Sequence, residues 1–251
     1  MNVIVLEPSD FIGEGVVRLC DRRREHARKH LRAEPGDRLR VGLLDEGDEA
    51  PLPNLGHGEV LRCDREALEL RVSLGERPPA ASGIVLALAL PRPPTLEKVL
   101  QQGTALGIKR FLLFHSRRVE PSYWDSSLLA AAALRRHMLL GLEQCVDTVL
   151  PRIEMHRGFA AFVEERLEQE RARGVVVVAD PEAAEMCPCG GEEGSLCLVL
   201  GPEGGFVPYE RERFAGLGDR MVGLGPRILR VETAMVALVA RLGGPPTVLW
   251  K

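Results

Sequence analysis

Two glycine-rich segments in the last quarter of this 251-residue sequence carry the residue types best suited to chemistry. The first, Leu200-Gly201-Pro202-Glu203-Gly204-Gly205-Phe206, packs three glycines and a proline into six residues. Such a loop lets backbone amides approach a ligand closely, because no Cβ intervenes. It fits neither the Walker pattern nor Gly-x-Gly-x-x-Gly, so a nucleotide loop, a phosphate cradle and a plain sharp turn all stay open. The second, Leu224-Gly225-Pro226-Arg227-Ile228-Leu229-Arg230-Val231-Glu232-Thr233-Ala234, sets two arginines beside a glycine turn. Glu232 falls near the positive start of the helix expected to follow. That combination suits a polyanion or an anchored carboxylate, and an ordinary capped turn is the alternative. Cys187-Pro188-Cys189 lacks a second cysteine pair or nearby histidine, so no metal is expected. His115 and His137 read as structural or surface residues. Tyr123 and Trp124 either stack on a nucleobase or pack at a helix start.

The elements that must position these loops follow from periodicity. Ile84 to Leu90 is a continuous apolar run, the pattern of a strand covered on both faces. Thr95 then caps a helix carrying Leu96, Val99, Leu100, Gly103 and Leu106 on one face. A strand over 110–114, a long helix over 126–149 and a helix over 159–173 come next. Ala131, Leu134, Met138, Leu142 and Cys145 form the buried stripe of the long helix. Strands over 175–179, 196–200 and 221–224 alternate with a short helix from Pro208 and a last helix over 231–242. Gly243-Gly244-Pro245 stops that last helix. Strands alternating with helices predict an α/β domain with a mostly parallel sheet, whose ligand loops lie at carboxyl strand ends.

Residues 1–76 follow a different grammar. Asp37 to Val41 and Leu68 to Val72 alternate apolar and polar side chains, which marks half-buried strands of a small β-rich domain. Asp45 to Gly58, rich in Pro, Gly and acids, reads as a loop. The Pro-rich stretch 77–83 reads as a linker, leaving 84–251 as the second domain.

Composition narrows the class. Hydrophobic residues make up 45% and charged residues 27%, and no apolar run reaches the roughly 18 residues of a membrane span. The amino terminus does not read as a signal peptide, and six scattered cysteines suggest no disulfide framework, so a reduced cytoplasm is expected. The net charge is −3, yet nine Arg and Lys stand against four acids between residues 18 and 40. Arg117-Arg118 and Lys109-Arg110 form a second basic cluster. Local basic patches are the footprint of phosphate binding, with a solvated face as the alternative.

Taken together, the two glycine segments resemble the last motifs of the SPOUT methyltransferases. The match is closest to the bacterial small-subunit rRNA uridine-N3 methyltransferases (RsmE-type). Leu96 to Gly107 resembles that family's first helix, and Glu143-Gln144-Cys145 its glutamate-glutamine helix end. Asp180-Pro181-Glu182-Ala183 resembles a turn lining the cofactor site. His26-x-x-Lys29-His30-Leu31-Arg32-x-x-x-Gly36-Asp37 resembles the basic entry to a PUA-like barrel. The resemblance covers most of the chain. It implies an α/β domain with a trefoil knot from about residue 196, a small N-terminal PUA-like β-barrel that binds RNA, and a homodimer.

It also implies S-adenosylmethionine held by Leu200, Gly201, Glu203, Gly204, Gly205, Leu224, Gly225, Ile228 and Leu229. Small-subunit ribosomal RNA would be held by Arg23, Arg28, Lys29, Arg32, Arg117 and Arg118. Glu143, Arg230 and Glu232 are candidates around the reacting base. The departures fall on the RNA side. Ala105 stands where the family has glutamate, Ser116-Arg117-Arg118-Val119 replaces Ser-Glu-Arg-Ser, and Val146-Asp147 follows where an arginine is common. Two rival readings are another SPOUT reaction, such as ribose 2′-O-methylation, and a non-catalytic RNA-binding or assembly protein.

Overall fold

The computed structural model of the chain describes residues 1–47, 52–190 and 195–243. Gly244 and Pro245, and residues 48–51 of the expected acidic loop, lie outside the described residues. The chain divides into two compact units, Met1–Ala80 with Met138–Leu150, and Ala81–His137 with Pro151–Lys251.

In the first unit the strands are β1 (Ile4–Leu6), β2 (Phe11–Gly13), β3 (Val16–Leu19), β4 (Arg38–Leu43), β5 (Leu55–Cys63) and β6 (Leu68–Glu76). They form one sheet in the order β1-β4-β5-β6-β3-β2, with β1 parallel to β4 and the other pairs antiparallel. Ile4, Leu6, Val17, Leu19, Val41, Val60, Leu68 and Leu70 make its core. The expected loop is too long by four residues, because Leu55–Gly58 already belong to β5. The glycines there serve close strand approach rather than a turn: a Cβ at Gly56 would sit 2.0 Å from the Ser73 carbonyl oxygen.

The segment 138–150 folds with this unit. Backbone N–H groups of Asn2 and Val3 donate to the Glu143 carbonyl at 2.7 and 3.2 Å. Leu142 packs with Val3, Val5 and Leu55, and partly buried Leu139 joins them. Thr148 Oγ1 donates to the Asn54 side chain at 2.8 Å.

The second unit holds β7 (Ile84–Ala89), β8 (Arg110–Phe114), β9 (Arg152–His156), β10 (Gly174–Ala179), β11 (Ser195–Leu200) and β12 (Arg220–Val222). All pairings in the order β12-β10-β11-β7-β8-β9 are parallel. Every residue of β7 is buried, as its unbroken apolar run predicts. Phe114 stacks on Phe162 at 4.3 Å, and Phe206 meets Phe214 edge-on at 5.1 Å.

Two helix expectations change. The first helix runs Pro93–Ala105 with Arg92 as its N-cap, so Thr95 lies inside the first turn and is buried. Proline at the opening positions, where no N–H partner is needed, displaces the threonine as the start signal. The long helix is Ala131–Cys145, preceded by tight turns Pro121–Asp125 and Ser127–Leu129. It ends where Val146 takes φ of 60° and Asp147 accepts from the N–H groups of Thr148 and Val149. Ala131, expected in the buried stripe, is exposed, whereas Leu134, Met138 and Leu142 are buried.

A buried charge cluster ties β8 to the helical segment Leu167–Arg171. The fully buried Glu170 carboxylate meets Arg110 at 2.6 Å, Arg166 at 2.7 Å and Arg173 at 3.3 Å. Burial alone would push this carboxyl up, but hydrogen bonds from Arg110 and Arg166 outweigh it and hold it below 4.5. Its ionised form therefore stabilises the fold fully above that value, and the contribution is lost as pH falls through the lowered folded value. Glu170→Gln should cost about 3 kcal/mol in urea unfolding at neutral pH, the order expected for breaking a buried pair. The gap between the two proteins should narrow as the pH drops below the ordinary carboxylate range.

Candidate active site

The carboxyl ends of β10, β11 and β12 converge on a cavity of about 730 Å³, counting its open mouth. The end of β11 and the loop after it contribute Leu200, Gly201, Pro202, Glu203, Gly205 and Phe206, and the segment after β12 contributes Leu224, Gly225, Arg227, Ile228 and Leu229. Gly205 at φ +70° and Gly225 at φ +99° make turns that a side chain would strain. Val231, Ala234 and Leu238 of helix Val231–Leu242 close the apolar side. Ala179, Asp180 and Pro181, after β10, close another, and the Asp180 carboxylate accepts from the Glu182 N–H at 2.9 Å.

A second cavity adjoins the first and shares Glu203, Ile228, Leu229 and Val231 with it. Its remaining walls are Arg92, Pro94, Thr95, Lys98, Arg230 and Glu232. Where the first is mainly apolar, this one gathers three cations and two carboxylates. Arg92 is tied to Glu203 through its backbone N–H and its Nε, both at 3.2 Å. Lys98 Nζ lies 3.1 Å from a Glu232 oxygen. Arg230, the N-cap of the last helix, is exposed and donates no hydrogen bond among the described residues.

Residues 78–243 match the sequence pattern of the RNA methyltransferase domain. The chain belongs to that family. A protein named ribosomal RNA small subunit methyltransferase E from Treponema pallidum is 25% identical over 244 residues, covering 96% of this chain and 90% of that one. One of the same name from Mycobacterium bovis is 27% identical over 228 residues, covering 87% and 82%. The solved structure of a ribosomal RNA small subunit methyltransferase E from Neisseria gonorrhoeae, bound to S-adenosylmethionine, superposes with a TM-score of 0.68. It covers 95% of this chain and 96% of its own, at 18% identity, a likeness that speaks for the fold.

Within this RNA methyltransferase domain, eight of the nine residues expected around a cofactor line the first cavity, and Gly204 does not. The Gly204 carbonyl instead accepts a hydrogen bond from Arg118. Of the three candidates around a reacting base, Arg230 and Glu232 share the second cavity. Glu143 lines neither. It belongs to the first unit, where it is buried and Arg22 binds both of its oxygens at 2.7 Å.

Among the basic residues, Arg23 is committed to structure. Its guanidinium bonds Asp10, Asp21 and the Val5 carbonyl, with its side chain only 11% exposed. Lys29 pairs with Glu25 on an exposed surface, and Arg32 is exposed. Arg28 is half-buried, with its Nε lacking a partner among the described residues. Arg117 is exposed, while its backbone N–H donates to buried Glu210 at 2.7 Å. Trp124 packs rather than stacks: it is buried and its Nε1 donates to His115 Nδ1 at 3.0 Å. Reading the sequence missed Arg92, Thr95 and Lys98. Periodicity assigns their helix a buried face but does not show what its other residues meet.

Glu232 is held ionised. Burial pushes its carboxyl up, but its own backbone N–H, the Lys98 ammonium and the Arg230 charge together bring it below 4.5. Lys98→Met should therefore move the Glu232 titration upward, toward 4.5, in carboxyl ¹³C NMR. An unchanged titration would show that Lys98 does not set the charge of this cavity.

Proposed function

We propose that this protein is an S-adenosylmethionine-dependent methyltransferase that methylates N3 of a uridine in bacterial small-subunit (16S) ribosomal RNA. The observation that carries the reading is the cavity built jointly by the two glycine loops, inside residues that match an RNA methyltransferase domain. The relatives' names, which specify the ribosomal small subunit, support the class of substrate. The base and the ring atom rest on the residue-by-residue resemblance of the two motifs.

The cavity fits the cofactor by its donor set. Leu200, Leu224, Ile228, Leu229 and Leu238 offer apolar walls for a planar base, and Gly201, Gly205 and Gly225 expose backbone for polar contacts. Asp180 and Glu203 place two carboxylates beside it, suited to a ligand that is cationic at sulfur and amine and carries ribose hydroxyls. When bound, S-adenosylmethionine supplies a methyl group on a positively charged sulfur. The protein's part is then positioning and electrostatics. A neutral imide nitrogen is a poor nucleophile until its proton leaves, so a base or a group that stabilises the ring anion is required. Arg230 and Glu232 are the candidates that the second cavity retains.

The reading extends to the rest of the chain. Residues 1–76 would form a PUA-like barrel, followed by a linker at 77–83 and a knotted domain over 84–251. Arg28, Lys29, Arg32, Arg117 and Arg118 would meet RNA phosphates. Exposed Ile228 and Val236 leave apolar surface for a second copy of the chain in a homodimer. Among the described residues no helix is long and apolar enough to cross a membrane, and the proposed site of action is the cytoplasm.

The test is methyl transfer in vitro. Purified protein, S-adenosylmethionine and small ribosomal subunits lacking the modification should yield 3-methyluridine by nucleoside mass spectrometry. A 2′-O-methylated nucleoside would replace the proposed reaction with another. No methylated nucleoside would overturn the reading as an enzyme of this substrate.

A further inference from the structure

The second cavity holds a feature that neither glycine motif explains. Helix Pro93–Ala105 packs against helix Val231–Leu242, and Lys98 and Glu232 face each other across that contact. The Glu232 side chain is 11% exposed and that of Lys98 52%, so the carboxylate is the fixed partner and the ammonium the reachable one. An ammonium carries three donors, and Glu232 uses one of them. The others are free to meet a ligand oxygen. The pair also lines a cavity of about 910 Å³, counting its mouth, which shares a wall with the first.

We propose that the second cavity receives the acceptor pyrimidine and that Lys98 is a catalytic residue, stabilising the anion of the ring imide during methyl transfer. The proposal rests on the function proposed above. Arg92 is occupied by Glu203, which leaves Lys98 as the cation that the cavity holds in place by a buried acid. Glu232 is a positioning residue. It stays ionised at neutral pH through its own N–H, Lys98 and Arg230, so it keeps the ammonium charged and aimed rather than taking the imide proton itself.

In the step, the N3 proton leaves to water and its bonding electrons remain on the ring, spread over N3 and the two flanking carbonyl oxygens. Lys98 donates to one of those oxygens. The N3 electron pair then forms the bond to the methyl carbon as the carbon–sulfur bond breaks and its electrons stay on sulfur. A donor aimed at charge that develops in the reaction accelerates it, and removing one such donor commonly costs about 10²–10³ in kcat. Lys98 is half-exposed, which weakens the effect through solvent screening.

The experiment compares wild type, Lys98→Met and Lys98→Arg on small ribosomal subunits across a range of pH, with S-adenosylmethionine affinity measured by calorimetry. Lys98→Met should lose about 10- to 100-fold in kcat. Its KM for the subunit and its cofactor affinity should stay within about twofold, since the cation acts on charge that appears in the reaction. The alkaline rise of kcat should move to higher pH, because the imide loses a cation that favours its ionisation. Lys98→Arg should recover most of the rate, and its intact calorimetric titration would show that the fold tolerates the site. Wild-type kcat in Lys98→Met, or a loss with no movement of the pH profile, would overturn the role of Lys98. Wild type that forms no 3-methyluridine would instead overturn the function on which the proposal rests.

Discussion

The strands β7, β10 and β11 of the second unit's parallel sheet carry apolar side chains on both faces and leave no place for polar chemistry along their length. Val176, Val177, Val178, Leu196, Leu198 and Val199 are all buried, so the polar groups lining the first cavity come from the turns where these strands stop. Three neighbouring strands end in such turns, and two of the turns need glycine at positive φ. The first cavity is the space those turns enclose. The last helix closes it with Val231, Ala234 and Leu238, the same stripe that elsewhere fills the core. Position in the sheet thus decides where a ligand can bind, and glycine decides how near the backbone can come.

Charge is distributed by a second rule. Three buried carboxylates are paired with arginines, since an unpaired buried charge is costly. Glu170 gathers Arg110, Arg166 and Arg173, Asp219 holds Arg171, and Glu143 holds Arg22. Arginines so engaged have donors committed within the protein. Arg23, with Asp10 and Asp21, belongs with them despite lying in the most basic stretch of the chain. Lys29, Arg32, Arg117, Arg118 and Arg230 are among the cations that stay exposed.

Five strands of the parallel sheet and both glycine loops were legible in the sequence because each leaves a local mark, an unbroken apolar run or glycine and proline at a strand end, whereas β9, Arg152–His156, has no apolar run and was missed. What stayed hidden depends on distant pairing. Gly56 and Gly58 look like loop residues until β6 lies beside them, and no local pattern distinguishes a glycine that turns from one that lets strands approach. Glu143 reads as a candidate for chemistry by resemblance, yet its partner Arg22 lies 121 residues away in sequence. The long helix looked longer because its apolar period runs on past Val146, and nothing in that period signals a left-handed residue at the break. Lys98 escaped for the same reason: its meaning lies in Glu232, on another helix.

The central claim is that the glycine turns at the ends of β11 and β12 form the binding site for S-adenosylmethionine. Calorimetric titration of wild type and Gly205→Val with that ligand tests it most directly. A left-handed conformation costs a residue with a side chain about 1–2 kcal/mol, which is roughly tenfold in affinity if the loop relaxes to escape it. Beyond its two chain neighbours no atom lies within 4 Å of a Cβ at Gly205, so the effect would come from the backbone at positive φ. The account predicts one ligand per wild-type chain and binding weakened about tenfold or more in the variant, with thermal unfolding little changed. Wild-type protein that binds no S-adenosylmethionine, or a variant that binds it as tightly as wild type, would contradict it.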